Sequence, residues 1–231
     1  MPRRKAPTKE DSALLPPYVQ LPDAAIHVPA TPQAFAAARA ALLAAPVLGF
    51  DTESRPLFNA GQNDTGPHLV QFATPDAAWL LQLHHPEALE IARAVLADER
   101  IRKVGFGLDN DRSALLRRLG AEPMQLVDLD RVFGRHGYGR NTGVRAAVAL
   151  VLGQNFRKSK KTSTSNWAAR QLSPGQIRYA ANDAHAPAVL HLALPAWEAA
   201  QAAPAAPHTP HTPRTPRAPR AARQRVSRIS T

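Results

Sequence analysis

The 231-residue chain contains no cysteine, which excludes disulfide partners, thiolate metal sites and thiol nucleophiles. Such a chain suits a reducing compartment. No run approaches the roughly 18 consecutive apolar residues that a membrane helix requires. The basic start MPRRKAPTKEDSALLPP lacks the apolar stretch that a secretory signal places after its charges. A cytoplasmic protein without a membrane partner is therefore expected. Aromatic residues make up only 6% of the chain, yet 44% of it is hydrophobic, enough for a proper core. The length favours one domain with tails.

Acidic residues are also scarce, at 18 against 29 lysines and arginines, for a net charge of +11. The imbalance is uneven. Six arginines between 207 and 231 face no acid at all, so more than half of the net charge lies in that stretch. Prolines recur there every third residue, at 204, 207, 210, 213, 216 and 219, and Arg214, Arg217, Arg220 and Arg223 keep the same period. Polyproline II has three residues per turn, which would line these arginines up at intervals of about 9 Å. One reading is a semi-rigid tether for nucleic-acid phosphates; the other is a disordered low-complexity tail. If all six arginines meet duplex phosphates, removing residues 204–231 should make the log–log salt slope of binding shallower by about 5. An unchanged slope in the truncated protein would contradict the tether.

Hydrophobic periodicity and turn residues divide the chain into a disordered basic arm (1–17), a folded domain (18–202) and a disordered Pro/Arg-rich tail (203–231). Within the domain, Thr31 and Pro32 read as the N-cap and first turn of a helix that Pro46 ends. VLGFDTES, HLVQFAT, AAWLLQL and RKVGFG read as strands. Helices are expected over PEALEIARAVLADERI, over DNDRSALLRRLG with Gly120 as its stop, and over SPGQIRYAANDAHAPAVLHLALPAWEAA. In the last of these Pro187 should kink or divide the helix. The expected architecture is a single α/β domain with a mixed β-sheet flanked by helices.

Three fragments carry candidate chemistry. In the strand VLGFDTES, Asp51 and Glu53 are two residues apart and project from one face, about 7 Å apart along the strand. Partly buried carboxylates this close repel unless a cation lies between them, and Mg²⁺ or Mn²⁺ prefers such oxygen ligands. Two solvated surface acids would give the same pattern. Tyr179 and Asp183 share one face of a helix at spacing i, i+4, with small alanines around them; a core tyrosine bonded to a surface acid fits this pair as well. In DNDRSALLRRLG, Asp111 lies near the inward stripe of Leu108, Leu115 and Leu119, whereas Asp109 suits an N-cap. Asp111 is therefore the choice for chemistry. Lys158, Lys160 and Lys161 form a basic stretch suited to phosphates or simply to solvent.

The ordered set FDTE, GLDNDRSALL and SNWAARQLSPGQIRYAANDA resembles the DEDD superfamily of 3′–5′ exonucleases. The tyrosine ahead of the last aspartate is similar to its DEDDy branch, which includes RNase D and the Werner-syndrome exonuclease domain. LVQFAT, the LG-x-x-F-x-K stretch from Leu152 to Lys158, and Ser165-Asn166-Trp167 fit as well. Many members place His-Asn before the middle aspartate, where this chain has Gly107-Leu108-Asp109-Asn110; its D-x-x-x-L-L agrees with the Werner-type pattern. The resemblance implies an RNase H-like fold and a site for two divalent ions, Mg²⁺ or Mn²⁺. In it Asp51 would bridge both ions, Glu53 and Asp183 would complete the first, Asp111 would hold the second, and Tyr179 would orient the attacking water. Thr52, the three lysines and the tail arginines would contact nucleic acid. RNase D adds helical domains for which 231 residues leave no room, so DNA 3′ ends are the first expectation and RNA the second. A non-catalytic nucleic-acid-binding module is the alternative from another class.

Overall fold

The computed structural model describes residues 4–56, 65–108, 112–139 and 142–202. Helix α1 is Lys9–Ala13, strand β1 Ile26–His27 and helix α2 Pro32–Ala44. Then come β2 (Val47–Glu53), β3 (Leu69–Ala73), β4 (Ala78–Gln82), α3 (Pro86–Ala97), β5 (Arg102–Gly105) and α4 (Arg112–Leu119). The chain continues through β6 (Leu126–Asp128), α5 (Leu129–Arg135), α6 (Gly143–Leu152), α7 (Lys160–Ser163) and α8 (Pro174–Ala202). The punctuation read from the sequence works as expected at two helix ends. Thr31 Oγ1 accepts the Ala34 N–H at 3.2 Å to start α2, and Gly120, at φ 68°, follows the end of α4.

The six strands form one mixed sheet in the order β1-β4-β3-β2-β5-β6. The β2–β3 and β3–β4 pairs are antiparallel; β2–β5, β5–β6 and β1–β4 are parallel. Alternation along each strand sorts the side chains into two layers. Leu48, Phe50, Val70, Phe72 and Leu81 pack against α2 and α3 on one face. Leu69, Ala73 and Leu80 meet Ala180, Ala181 and Ala184 of α8 on the other. Asp51 and Glu53 alternate with Phe50, which places them on the α8 face of the central strand. The expected fold class, a mixed sheet flanked by helices in a single domain, is what the chain adopts.

Two local expectations need correction. Residues 4–17 were expected to be a disordered arm but are held on the domain. A Thr8–Asp11 capping box starts α1, the Arg4 N–H donates to Gly137 O at 2.8 Å, and the Arg4 guanidinium reaches Gln201 Oε1 at 2.8 Å and the face of Tyr138. Pro16 O and Tyr18 N–H pair with Asn155. Apart from the capping box, these contacts join distant parts of the sequence, and no local pattern announces them. The second concerns α8, where Pro187 should kink or divide the helix: it does not divide it, and α8 runs through both Pro187 and Pro195. Each proline removes one helical hydrogen bond; Pro187 is buried, and α8 as a whole packs against both the sheet and α6. The tail, with Arg214, Arg217, Arg220 and Arg223, lies outside the described residues. Among those described, no helix is long and apolar enough to cross a membrane.

One buried charge belongs to the fold. Lys103 of β5 is fully buried, and its Nζ donates to Asp98 O at 2.9 Å and Val95 O at 3.2 Å, carbonyls at the C-terminal end of α3. The lysine therefore serves as a C-cap from a neighbouring strand. Burial pulls its pKa down to about 8, with Asp98 acting the other way. The folded state thus binds fewer protons than the unfolded chain between about pH 8 and the ordinary lysine range, so this residue makes stability rise with pH there. Relative to Lys103→Met, the wild type should gain up to about 3 kcal/mol between pH 7.5 and 10.5. Denaturant unfolding at several pH values reads that difference, and a flat difference would contradict it.

Candidate active site

The site forms where β2 meets α8. Gly49 allows the two backbones to touch: a Cβ at that position would overlap the Ala184 carbonyl oxygen and lie 2.9 Å from Ala188 N. Asp51 and Glu53 follow Gly49 on the same face of the strand, and Asp183 immediately precedes Ala184 on the helix. The backbone contact therefore sets how close the strand acids come to the helix acid. Carboxylate oxygens of Asp51, Glu53 and Asp183 all lie within 4.8 Å of one another. Asp51 Oδ1 accepts the Thr52 N–H at 2.9 Å.

Asp183 is 4% exposed. Burial pushes its carboxyl up from the usual range, and Lys158 pulls it back in part. The Lys158 Nζ lies 2.9 Å from Asp183 Oδ2 and 5.6 Å from the centre of the Tyr179 ring. Burial disfavours the Lys158 charge, but Asp183, then Asp51 and Tyr179, outweigh it and raise the lysine above its ordinary value. The Lys158 ammonium is thus the partner that compensates the buried Asp183 carboxylate. Burial, and then Asp183, push the Tyr179 hydroxyl upward as well, so it stays protonated at neutral pH. Three carboxylates converging on one point carry more negative charge than one lysine with 38% of its side chain exposed can offset, and they fit a hard divalent cation.

The structure thus gathers Asp51, Glu53, Tyr179, Asp183 and Lys158. Thr52 points to the opposite face of β2 by strand alternation, and its backbone N–H serves Asp51. Lys160 and Lys161 lie exposed on α7. Asp109 and Asp111 lie outside the described residues. His185, beside Asp183 in sequence, is part of the packing. Pro75 O can only accept, so at 3.0 Å it takes the proton of Nε2, and Tyr18 Oη donates to Nδ1 at 2.8 Å.

Sequence reasoning missed three features. Gly49 inside an apolar strand signals a close backbone approach. Asp128, at the β6–α5 junction, caps α5 through the Asp130 N–H and also accepts the N–H groups of Gly107 and Leu108 at 3.2 and 3.1 Å. It thereby holds the segment that leads into Asp109–Asp111. Its N-cap role could be read from LVDLD, but its reach across to the neighbouring loop could not. The third is a cavity of about 510 Å³ beside Lys158, lined by Lys9, Phe106, Asp130 and Arg145 among others. The N-terminal segment forms one of its walls.

Comparison with known proteins agrees with this site. Residues 26–195 match the 3′–5′ exonuclease family. The chain is 27% identical over 153 residues to the bifunctional 3′–5′ exonuclease/ATP-dependent helicase WRN of Mus musculus, covering 64% of this chain and 11% of that protein. It is 32% identical over 102 residues to ribonuclease D of Pseudomonas paraeruginosa, covering 44% of this chain and 27% of that protein. It therefore spans only a minor part of either relative. The Nibbler EXO domain of Aedes aegypti has the same fold, with a TM-score of 0.65 at 22% identity over 80% of this chain and 93% of that one. With a match from 26 to 195 and three acids converging where β2 meets α8, the chain belongs to the 3′–5′ exonuclease family.

Proposed function

We propose that the protein hydrolyses nucleic-acid phosphodiesters one at a time from the 3′ end by DEDDy-type chemistry with two divalent ions. The observation that carries this reading is the convergence of Asp51, Glu53 and Asp183 beside Tyr179 and Lys158. In the in-line reaction a water oxygen bonds to the terminal phosphorus while the bond from phosphorus to the preceding 3′ oxygen breaks. The water gives up a proton, the departing 3′ oxygen gains one, and a nucleoside 5′-monophosphate is released. Mg²⁺ or Mn²⁺ held by Asp51, Glu53 and Asp183, with Asp111 as a further ligand, would supply a water of lowered pKa and offset charge on the phosphoryl oxygens.

The protein's own groups do the remainder. Tyr179, protonated and interacting with Asp183, would orient the water. Lys158 stands between the acids and the adjoining cavity, where its charge can meet a phosphate. Lys160 and Lys161, exposed on α7, would extend the cationic path. DNA is the proposed substrate, on the agreement of the D-x-x-x-L-L stretch with the Werner-type pattern. RNA is the second reading, supported by the ribonuclease D match. Initial rates on DNA and RNA oligonucleotides of one sequence decide between them. Faster release from DNA is expected, and equal or faster release from RNA would overturn the preference.

A further inference from the structure

Strand β3 reads Leu-Val-Gln-Phe-Ala, and its one polar residue, Gln71, is 0% exposed. Neither Nε2 nor Oε1 of Gln71 has a hydrogen-bond partner among the described residues. A primary amide offers two donors and an acceptor oxygen with two lone pairs. Leaving them unmet in an interior is costly, and buried amides are nearly always paired. Packing alone gives no reason for a glutamine here. Its neighbours on this face are Leu69, Ala73 and Leu80, covered by the alanines of α8.

The sheet register supplies a reason. Gln71 is directly opposite Asp51 on β2 and Leu80 on β4. Residues opposed across an antiparallel ladder project to the same face with their Cβ atoms about 5 Å apart. The unsatisfied amide therefore shares a rung of the ladder with the strand acid at the centre of the site, on the sheet face covered by the helix that carries Asp183. An amide suits that place because it is neutral: it can orient a carboxylate without competing for a cation, as lysine or arginine would.

We propose that Gln71 is a positioning residue for Asp51. Its Nε2 donates to the Asp51 carboxylate when the acidic cluster holds a divalent ion, fixing the direction in which that carboxylate presents its oxygens. The inference rests on the reading of Asp51 as a metal ligand. Carboxylate ligands are themselves commonly hydrogen-bonded from behind, and loss of such a partner typically weakens metal binding 10–100-fold.

The test is calorimetric Mn²⁺ binding to the full chain as wild type, Gln71→Met and Gln71→Leu, with thermal unfolding in chelator and steady-state oligonucleotide hydrolysis. Both variants fill the space without hydrogen bonding. They are expected to unfold at or above the wild-type temperature, because an unsatisfied amide has been replaced by apolar surface. They should bind Mn²⁺ about 10–100-fold more weakly and lose kcat with KM nearly unchanged. In an Asp51→Asn background the Gln71→Met change should add little, since the two residues act as a unit. Wild-type Mn²⁺ affinity in a folded variant would overturn the proposal. So would a lower unfolding temperature in both variants, which would make Gln71 a packing element. A wild type that binds no Mn²⁺ would instead remove the metal reading of the cluster, and this inference with it.

Discussion

Asp51→Ala is expected to reduce 3′-terminal hydrolysis by at least about 10³-fold, or some 4 kcal/mol of transition-state stabilisation. Affinity for nucleic acid should be largely retained. Asp51 is the acid on the central strand, with its carboxylate oxygens in range of both Glu53 and Asp183. Without it no arrangement of the other two can bridge the cluster. The fold should tolerate the change. Asp51 is only partly buried, its bond from the Thr52 N–H is local and worth about 1 kcal/mol, and removing one of three converging negative charges relieves repulsion. Lys158 keeps its ion pair with Asp183. Thermal unfolding, fluorescence anisotropy in chelator and single-turnover rates separate these effects. Turnover within tenfold of wild type would show that Asp51 is not part of the chemistry.

Gly49→Ala is expected to be the most disruptive glycine-to-alanine change among the described residues, with the shortest approach to backbone. The added carbon meets backbone on two sides, the Ala184 carbonyl oxygen and Ala188 N. Neither can move without displacing α8, which is held between the sheet and α6. Overpacking of this kind costs about 3 kcal/mol or more, which in a protein of this size lowers Tm by roughly 6–12 °C. Activity should fall further than stability, because the displaced helix carries Tyr179 and Asp183. Gly134→Ala is the control. Nothing lies within 4 Å of a Cβ there, and alanine in a helix is more favourable than glycine by about 0.5–1 kcal/mol. Equal Tm values for the two variants would contradict the close strand–helix contact.

The sequence shows the site more clearly than it shows the site's supports. Strand periodicity puts Asp51 and Glu53 on one face and helical spacing pairs Tyr179 with Asp183, because both are local regularities; that the two pairs make one site is what the resemblance to the exonucleases implies. Lys158 could be read as basic but not as the partner of Asp183, since the pairing depends on how the segment before α7 folds back over α8. The same holds for the N-terminal segment, where Arg4 reaches Gln201 and Tyr18 reaches His185 across nearly the whole chain. Of the two outcomes expected at Pro187, a kink or a division, the division does not occur: α8 continues through it as one helix.

The central claim is metal-dependent hydrolysis from the 3′ end at the Asp51–Glu53–Asp183 cluster. Product analysis of a 5′-labelled oligonucleotide with Mg²⁺, Mn²⁺ or chelator, beside Asp183→Asn, tests it most directly. A ladder shortening stepwise from the 3′ end in the presence of metal, absent with chelator and absent in the variant, is the predicted result. Binding of the oligonucleotide with no shortening under any metal would contradict it and leave a nucleic-acid-binding module built on an exonuclease fold.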